Sequence, residues 1–260
     1  MRNISTKRKL KEGRGTGTGA DYKPWILARE FGSIGTESVF NDWKHGRPIQ
    51  CLSQAEKKVY MVMRFRDDVI DIREQYPLDI SITRFIARKY DMPHPCDAHT
   101  YMTTDFLVTH KNADGSQFLK AYSVKPNENA VKNYMTNNIF IEQMYWAIKG
   151  IHLHLIYSDM LDKFYVENIR QCIPYYSPSS VHTKVDFVRH LISRKVLPID
   201  MHIPLNYPTL VETYLGSPEQ VQYYLALMQQ TYNLSNEKER RKTLDKLSHP
   251  RWLYPYFTTV

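Results

Sequence analysis

Met102-Thr-Thr-Asp105-Phe-Leu-Val-Thr-His110, then Lys111-Asn-Ala-Asp114-Gly115-Ser-Gln117, then Phe118-Leu-Lys-Ala-Tyr-Ser123-Val-Lys125-Pro126 follow one another, and their reading decides the fold. Two β-rich runs flank an Asp114-Gly115 turn signal, which makes the stretch a hairpin candidate. Side chains two apart share a strand face, so Ser123 and Lys125 point the same way. Loop length then decides where Asp105 falls. A two-residue turn at Asp114-Gly115 sets Asp105 opposite Val124, on the wrong face. A three- or five-residue loop centred on Gly115 sets it opposite Lys125, on the same face. The odd-length loop is predicted. An acid and a lysine facing one way on adjacent strands suit metal-dependent phosphodiester cleavage. The carboxylate holds a hard divalent cation such as Mg2+. The cation polarises the phosphate and acidifies a bound water. The lysine orients that water or neutralises charge building on the phosphate. Taken alone, such a pair is more simply a solvated Asp and Lys on a surface hairpin, so the rest of the chain has to decide.

The 260 residues suffice for a sizeable core and two small domains. Lys and Arg number 35 against 27 Asp and Glu, and the pI is about 9.2, which favours a polyanionic partner. Nineteen tyrosines argue against a disordered basic tail. Cys51, Cys96 and Cys172 are scattered and odd in number, which suits a reducing cytoplasm and offers no zinc spacing. No apolar run is long enough to span a bilayer and the N-terminus has no apolar signal region, so a soluble intracellular protein with no membrane partner is expected.

Residues 1–21 read as a flexible basic arm, in which Lys7, Arg8, Lys9, Lys11 and Arg14 precede a Gly/Thr-rich run. These side chains are candidates for tracking DNA phosphates, and an ordinary solvated tail is the alternative. Ser53-Gln-Ala-Glu56 opens a helix running to about Arg66 and has capping-box spacing. Glu56 also heads an apolar stripe with Val59, Tyr60 and Met63, which aims it inward. A strand at 68–76, with Ile70, Ile72, Glu74 and Tyr76 on one side, is followed by a short helix around 83–90. The hairpin strands cover about 100–109 and 117–125. A long helix from about Glu128 to Lys149 carries Glu142, a further acid within reach of a site, although a solvated helix acid is the plainer reading. A strand at 151–157 closes the series. The order predicts an α/β domain over 22–158, with a mixed sheet covered on both faces. Residues 159–260 read as a second, mostly helical domain, with helices near 160–172, 183–194 and 217–232. The basic run 236–247 within it could grip phosphates, but interleaved acids make a solvated face the default.

Four stretches together resemble the TnsA-type endonuclease subunits of heteromeric, Tn7-like transposases. They are Tyr22-x-Pro-Trp25 with Arg29-Glu-Phe31 and Ser33; Ser53-x-x-Glu56; Asp71-Ile-Arg-Glu-Gln-Tyr-Pro-Leu78; and Met102-Thr-Thr-Asp105-Phe-Leu-Val108 with Val124-Lys125-Pro126. The resemblance implies a restriction-endonuclease-like N-terminal domain and a winged-helix-like C-terminal domain. It implies cleavage of double-stranded DNA at the transposon 5′ ends, on the strand not joined to the target, with Mg2+ or Mn2+ as cofactor. The implied partners are a DDE-type integrase subunit (TnsB-type) and an AAA+ regulator (TnsC-type), and the implied setting is the bacterial cytoplasm. By position, Glu56 matches the family's helix acid, Asp105 its metal-binding Asp and Lys125 its catalytic Lys. Glu142 falls where a further acid is sometimes placed. Ser123 departs from the Gln, or carboxylate, that the family often has two before the Lys. A hydroxyl is a weak ligand, which leaves contact with the metal through water or through the backbone carbonyl of Ser123. Two other readings compete: a stand-alone restriction-type nuclease, and a non-catalytic DNA-binding scaffold subunit.

Overall fold

The computed structural model describes residues 4–30, 38–42, 45–96, 100–134 and 136–231. The chain divides into two compact units, Met1–Leu161 and Asp162–Val260. In the first, the helices and strands in chain order are α1 (Thr6–Lys11), β1 (Ser38–Asp42), β2 (Arg47–Cys51), α2 (Gln54–Phe65), β3 (Val69–Pro77) and α3 (Ile80–Lys89). Then follow β4 (Thr103–Lys111), β5 (Gln117–Lys125), α4 (Asn129–Tyr134), α5 (Thr136–Ile148) and β6 (Leu153–Tyr157). The order expected from α2 onward is present. The β1–β2 pair has no counterpart in the sequence reading.

Strands β3, β4, β5 and β6 form one sheet in that order. The β3–β4 and β4–β5 pairs are antiparallel and β5–β6 is parallel, so the sheet is mixed. Each face is covered by a core. On one, Ala55, Val59, Tyr60 and Met63 of α2 pack with Ile72, Phe106, Val108, Tyr122 and Val124. On the other, Ile86 and Ala87 of α3 and Ile141, Tyr145 and Trp146 of α5 pack with Leu107 and Ala121. Neighbouring strand residues such as Phe106 and Leu107 therefore serve opposite cores, as the pleat requires. Burying each large apolar side chain stabilises the sheet by ~1.5–3 kcal/mol.

Of the basic arm, residues 4–21 are described, and they make contacts of their own. Residues 6–11 are helical, and Arg14 is buried (4 % exposed). Its guanidinium makes a two-pronged pair with Glu30 at 2.8 and 2.7 Å, and its Nε reaches Glu12 at 2.8 Å. Such fork-on-fork pairing consumes the donors a DNA phosphate would need. Lys9 is also turned inward, 3.7 Å from Glu30 and over the Trp25 ring, and Arg8 pairs with Glu12. Only Lys7 and Lys11 of the five candidates are left exposed without a drawn-in partner of this kind. The glycines, read as flexibility, instead meet a conformational need: Gly15 has φ of 78°, and a Cβ there would lie 2.2 Å from Pro77 Cγ. Beyond it the segment runs along β3, where the Tyr22 hydroxyl donates to the Glu74 carbonyl at 2.9 Å and the Trp25 N–H to the Gln75 carbonyl at 3.2 Å. Of the resembling stretch, Phe31 and Ser33 lie outside the described residues.

The second unit holds α6 (Lys163–Cys172), α7 (Lys184–Ser193), α8 (Tyr207–Leu215) and α9 (Pro218–Thr231). Three match the expected helices, and α8 is additional. Asp162 caps α6 through the Tyr165 N–H at 2.7 Å, and Thr183 with Asp186 forms a capping box on α7. Among the described residues this unit has no strand, so a wing is not found there. The basic run 236–247 lies outside the described residues. No helix among them is long and apolar enough to cross a membrane.

Candidate active site

The hairpin loop is odd in length, as expected, but its centre is Asp114 and not Gly115. Pairing runs from Lys111↔Gln117 to Phe106↔Tyr122, leaving five loop residues, 112–116. The Asp114 carboxylate accepts from the Ser116 N–H at 2.8 Å and the Ser116 hydroxyl at 2.6 Å, and Gly115 takes φ of 87°. This register sets Asp105 next in line with Ser123, and Lys125 lies two residues further on. The expected pairing of Asp105 with Lys125 is thus off by one step along the face. Asp105 and Lys125 nonetheless come within 3.8 Å of each other.

Beyond Phe106↔Tyr122 the ladder ends, and the Asp105 carboxylate takes up the slack. It accepts the Val124 N–H at 2.6 Å and lies 3.8 Å from Lys125 Nζ. The ammonium also reaches Ser123 Oγ at 3.2 Å and the Val124 carbonyl at 3.0 Å. Both strands change face at this level. Phe106 packs with the α2-side core, whereas Thr104 accepts from Trp146 Nε1 of α5 at 2.7 Å. On β3, Ile72 belongs to the α2-side core, whereas Tyr76 packs with the α5-side core. Ile72 and Tyr76 were expected on one side. The reason they are not is Gln75, which has φ of 48° in mid-strand and so breaks the period of two.

Gln75 is the site residue that sequence reasoning missed. Its neighbours pair as Glu74↔Phe106 and Tyr76↔Thr104, which puts Gln75 level with Asp105. Its side-chain N–H donates to Glu56 Oε2 at 3.2 Å and bonds the Asp105 carboxylate as well. The one available signal was its place inside the Asp71–Leu78 stretch, and residue type alone does not announce a left-handed backbone.

Glu56 satisfies the capping reading, and the same bonds fix where its carboxylate lies. Ser53 Oγ accepts the Glu56 N–H at 3.1 Å, while the Glu56 carboxylate accepts the Leu52 N–H at 2.8 Å and the Ser53 hydroxyl at 2.9 Å. The capped helix start therefore aims this acid at Gln75. From the opposite helix, Glu142 is buried (6 % exposed) and bonds Thr104 and Ser123. Glu56 and Glu142 thus both feel the charge of Asp105, which itself lies beside Lys125. Burial, then the charge of Asp105, pushes Glu56 up to about 7, and the same two causes push Glu142 up to about 7. Burial raises Asp105 too, against the pull of Lys125, the Val124 N–H and Gln75. Such a cluster favours protons or a cation over bare charge.

Two observations bear on a metal. Glu142 Oε1 is buried with no hydrogen-bond partner, an unspent oxygen donor beside Asp105. The donor set is all oxygen, which suits a hard cation such as Mg2+. Among the described residues, no three or more acidic, His or Cys side chains already surround a common metal-sized centre. Ser123 Oγ is taken up by Lys125 and Glu142.

Comparison with known proteins matches a stretch of this unit. Residues 66–158 match the family model for the TnsA-like endonuclease N terminal. That span includes Gln75, Asp105, Ser123, Lys125 and Glu142, and leaves Glu56 outside. Over 168 residues the chain is 34% identical to the transposon Tn7 transposition protein TnsA of Escherichia coli. The alignment covers 64% of this chain and 61% of that protein, so the chain matches about three-fifths of its relative's length.

Proposed function

We propose that the chain, whose residues 66–158 match the TnsA-like endonuclease N-terminal model, is the DNA endonuclease subunit of a cut-and-paste transposase. It cleaves double-stranded DNA at the transposon 5′ ends, on the strand not joined to the target. It works beside a DDE-type integrase subunit (TnsB-type) under an AAA+ regulator (TnsC-type). The mixed sheet between helices supports a restriction-endonuclease-like fold for the first unit, and the helices of the second support the helical part of a winged-helix-like domain. The single observation that carries the reading is the grouping of Glu56 and Glu142 about Asp105, with Lys125 beside Asp105, where β4 and β5 part.

In this reading Asp105 and Glu142, with Glu56 as the third carboxylate, hold Mg2+ or Mn2+. The bound cation supplies polarisation of the phosphate and a more acidic water. The side chain of Asp105 is 20% exposed, so the site opens to DNA there. Lys125 orients the attacking water and balances the charge growing on the phosphate. The Val124 N–H holds Asp105 in place, and Ser123 Oγ, 3.2 Å from the ammonium, keeps Lys125 beside it. Attack at phosphorus breaks the bond to the 3′ oxygen and leaves a 5′-phosphate and a 3′-hydroxyl.

End-labelled transposon-end DNA, combined with the partner subunits and Mg2+, tests this directly. Asp105→Ala and Lys125→Ala should each reduce cutting of the 5′ strand by about 10²-fold or more while 3′-end cutting persists. Release of the element from both strands by Asp105→Ala would sink the proposal. Full function in both variants would leave only a scaffold. Cleavage of defined duplex by the isolated chain would instead make it a stand-alone nuclease.

A further inference from the structure

Three non-glycine residues among those described have positive φ: Gln75, Asp91 and Lys195. Asp91 and Lys195 follow the ends of α3 and α7, where a left-handed residue commonly closes a helix. Gln75 sits inside a strand, where that conformation is disfavoured and persists only if its surroundings impose it. Three contacts do so. The Trp25 N–H donates to the Gln75 carbonyl at 3.2 Å, and the Tyr22 hydroxyl clamps the preceding carbonyl at 2.9 Å. The third is at the side chain, where the Thr103 hydroxyl donates to Gln75 Oε1 at 3.1 Å.

An amide has one accepting end and one donating end. With Thr103 on the oxygen, both N–H groups are left for the carboxylates, and they meet Glu56 at 3.2 Å and Asp105. Glu56 comes from the helix on one face of the sheet and Asp105 from a strand within it, and the Gln75 amide is bonded to both carboxylates. Gln75, 2% exposed, spans the level at which both strands change face.

We propose that Gln75 is the positioning residue of this site: its amide, locked by Thr103 and carried by a left-handed backbone, sets the separation of Glu56 and Asp105. The proposal rests on the reading of the site as a cation-dependent nuclease centre. A neutral double donor is suited to the task. It ties two like-charged groups together without adding charge, and leaves their remaining oxygen lone pairs free to face a cation. Methionine at the position keeps the length and loses the donors; glutamate keeps the shape and adds a fourth acid.

The test uses the full chain with Gln75→Met, Gln75→Glu and Thr103→Val, and Asp105→Ala alongside. Two quantities are read: the Mg2+ dependence of 5′-strand cutting in the assembled reaction, and the Mg2+-induced rise in Tm of the protein without DNA. Gln75→Met is expected to raise the Mg2+ concentration at half-maximal cutting about tenfold or more, and to shrink the rise in Tm. Gln75→Glu should do the same, and Thr103→Val should move both in the same direction by less. A folded Gln75→Met whose metal dependence and Tm rise stay within about twofold of the parent overturns the proposal. So does loss of cutting at every Mg2+ concentration with an unchanged Tm rise, because Gln75 would then act on substrate. If Gln75→Met does not fold, Thr103→Val decides, and an unaltered metal dependence there overturns the proposal. Asp105→Ala separates the two claims: cutting retained by that variant ends the nuclease reading itself, whatever Gln75 does.

Discussion

Replacing Asp105 by Asn should abolish cutting and yet stabilise the metal-free protein above neutral pH. Glu56 and Glu142 are each carried from the ordinary 4.5 up to about 7. A rise of that size costs ~3 kcal/mol per group at a pH where both are ionised. The sign follows from the direction: a carboxyl raised in the folded state contributes stability below pH 4.5, and that stability is lost as pH climbs through about 7. Burial is the larger cause and the Asp105 charge the second, so neutralising Asp105 returns a minority share, on the order of 2 kcal/mol over both groups. Against this stands the ion pair with Lys125, but burial outweighs it, since Asp105 stays raised in its presence. The bond to the Val124 N–H survives, since an Asn oxygen also accepts, though more weakly. A net gain of ~1 kcal/mol raises Tm by about 2–4 °C. Thermal unfolding in a chelator at pH 8 is the assay, repeated at pH 4.5, where the gain should vanish, and with millimolar Mg2+, which should lift the parent and leave the variant unmoved. A variant that melts below the parent in chelator at pH 8 would refute the reasoning, because the three carboxyls would then not be strained against one another.

In the second unit His190 is fully buried, and burial pulls it down to about 4. A neutral folded histidine loses ground wherever the unfolded chain takes up a proton, so stability should fall by ~3 kcal/mol between pH 6.5 and 4, and His190→Gln should flatten that slope in denaturant titrations. Gly15→Ala would place a Cβ 2.2 Å from Pro77 Cγ at a φ of 78°, and it should cost about 1–3 kcal/mol and expose the segment before Tyr22 to limited proteolysis. Unaltered protease resistance there would mean that the arm is not anchored through this contact.

What the residues determined alone were the local elements and their polarity. The Asp-Gly turn between β-rich runs, the Ser53 cap with its inward Glu56, and the shared face of Ser123 and Lys125 all follow from interactions within a few residues of one another. What only the tertiary structure decided was where the regular periods stop. Gln75 has no intrinsic preference for positive φ; the segment at Tyr22 and Trp25, some fifty residues earlier in the chain, imposes it and turns Tyr76 to the other face. Arg14 looked like one more charge in a basic arm until Glu30 and the Trp25 carbonyl enclosed it. Glu142 became part of the site because α5 packs across the sheet, not because of any motif around it. Hydrogen-bonded periodicity is a short-range property that composition reports well. A strained backbone and a buried charge exist only where distant parts of the chain over-determine them.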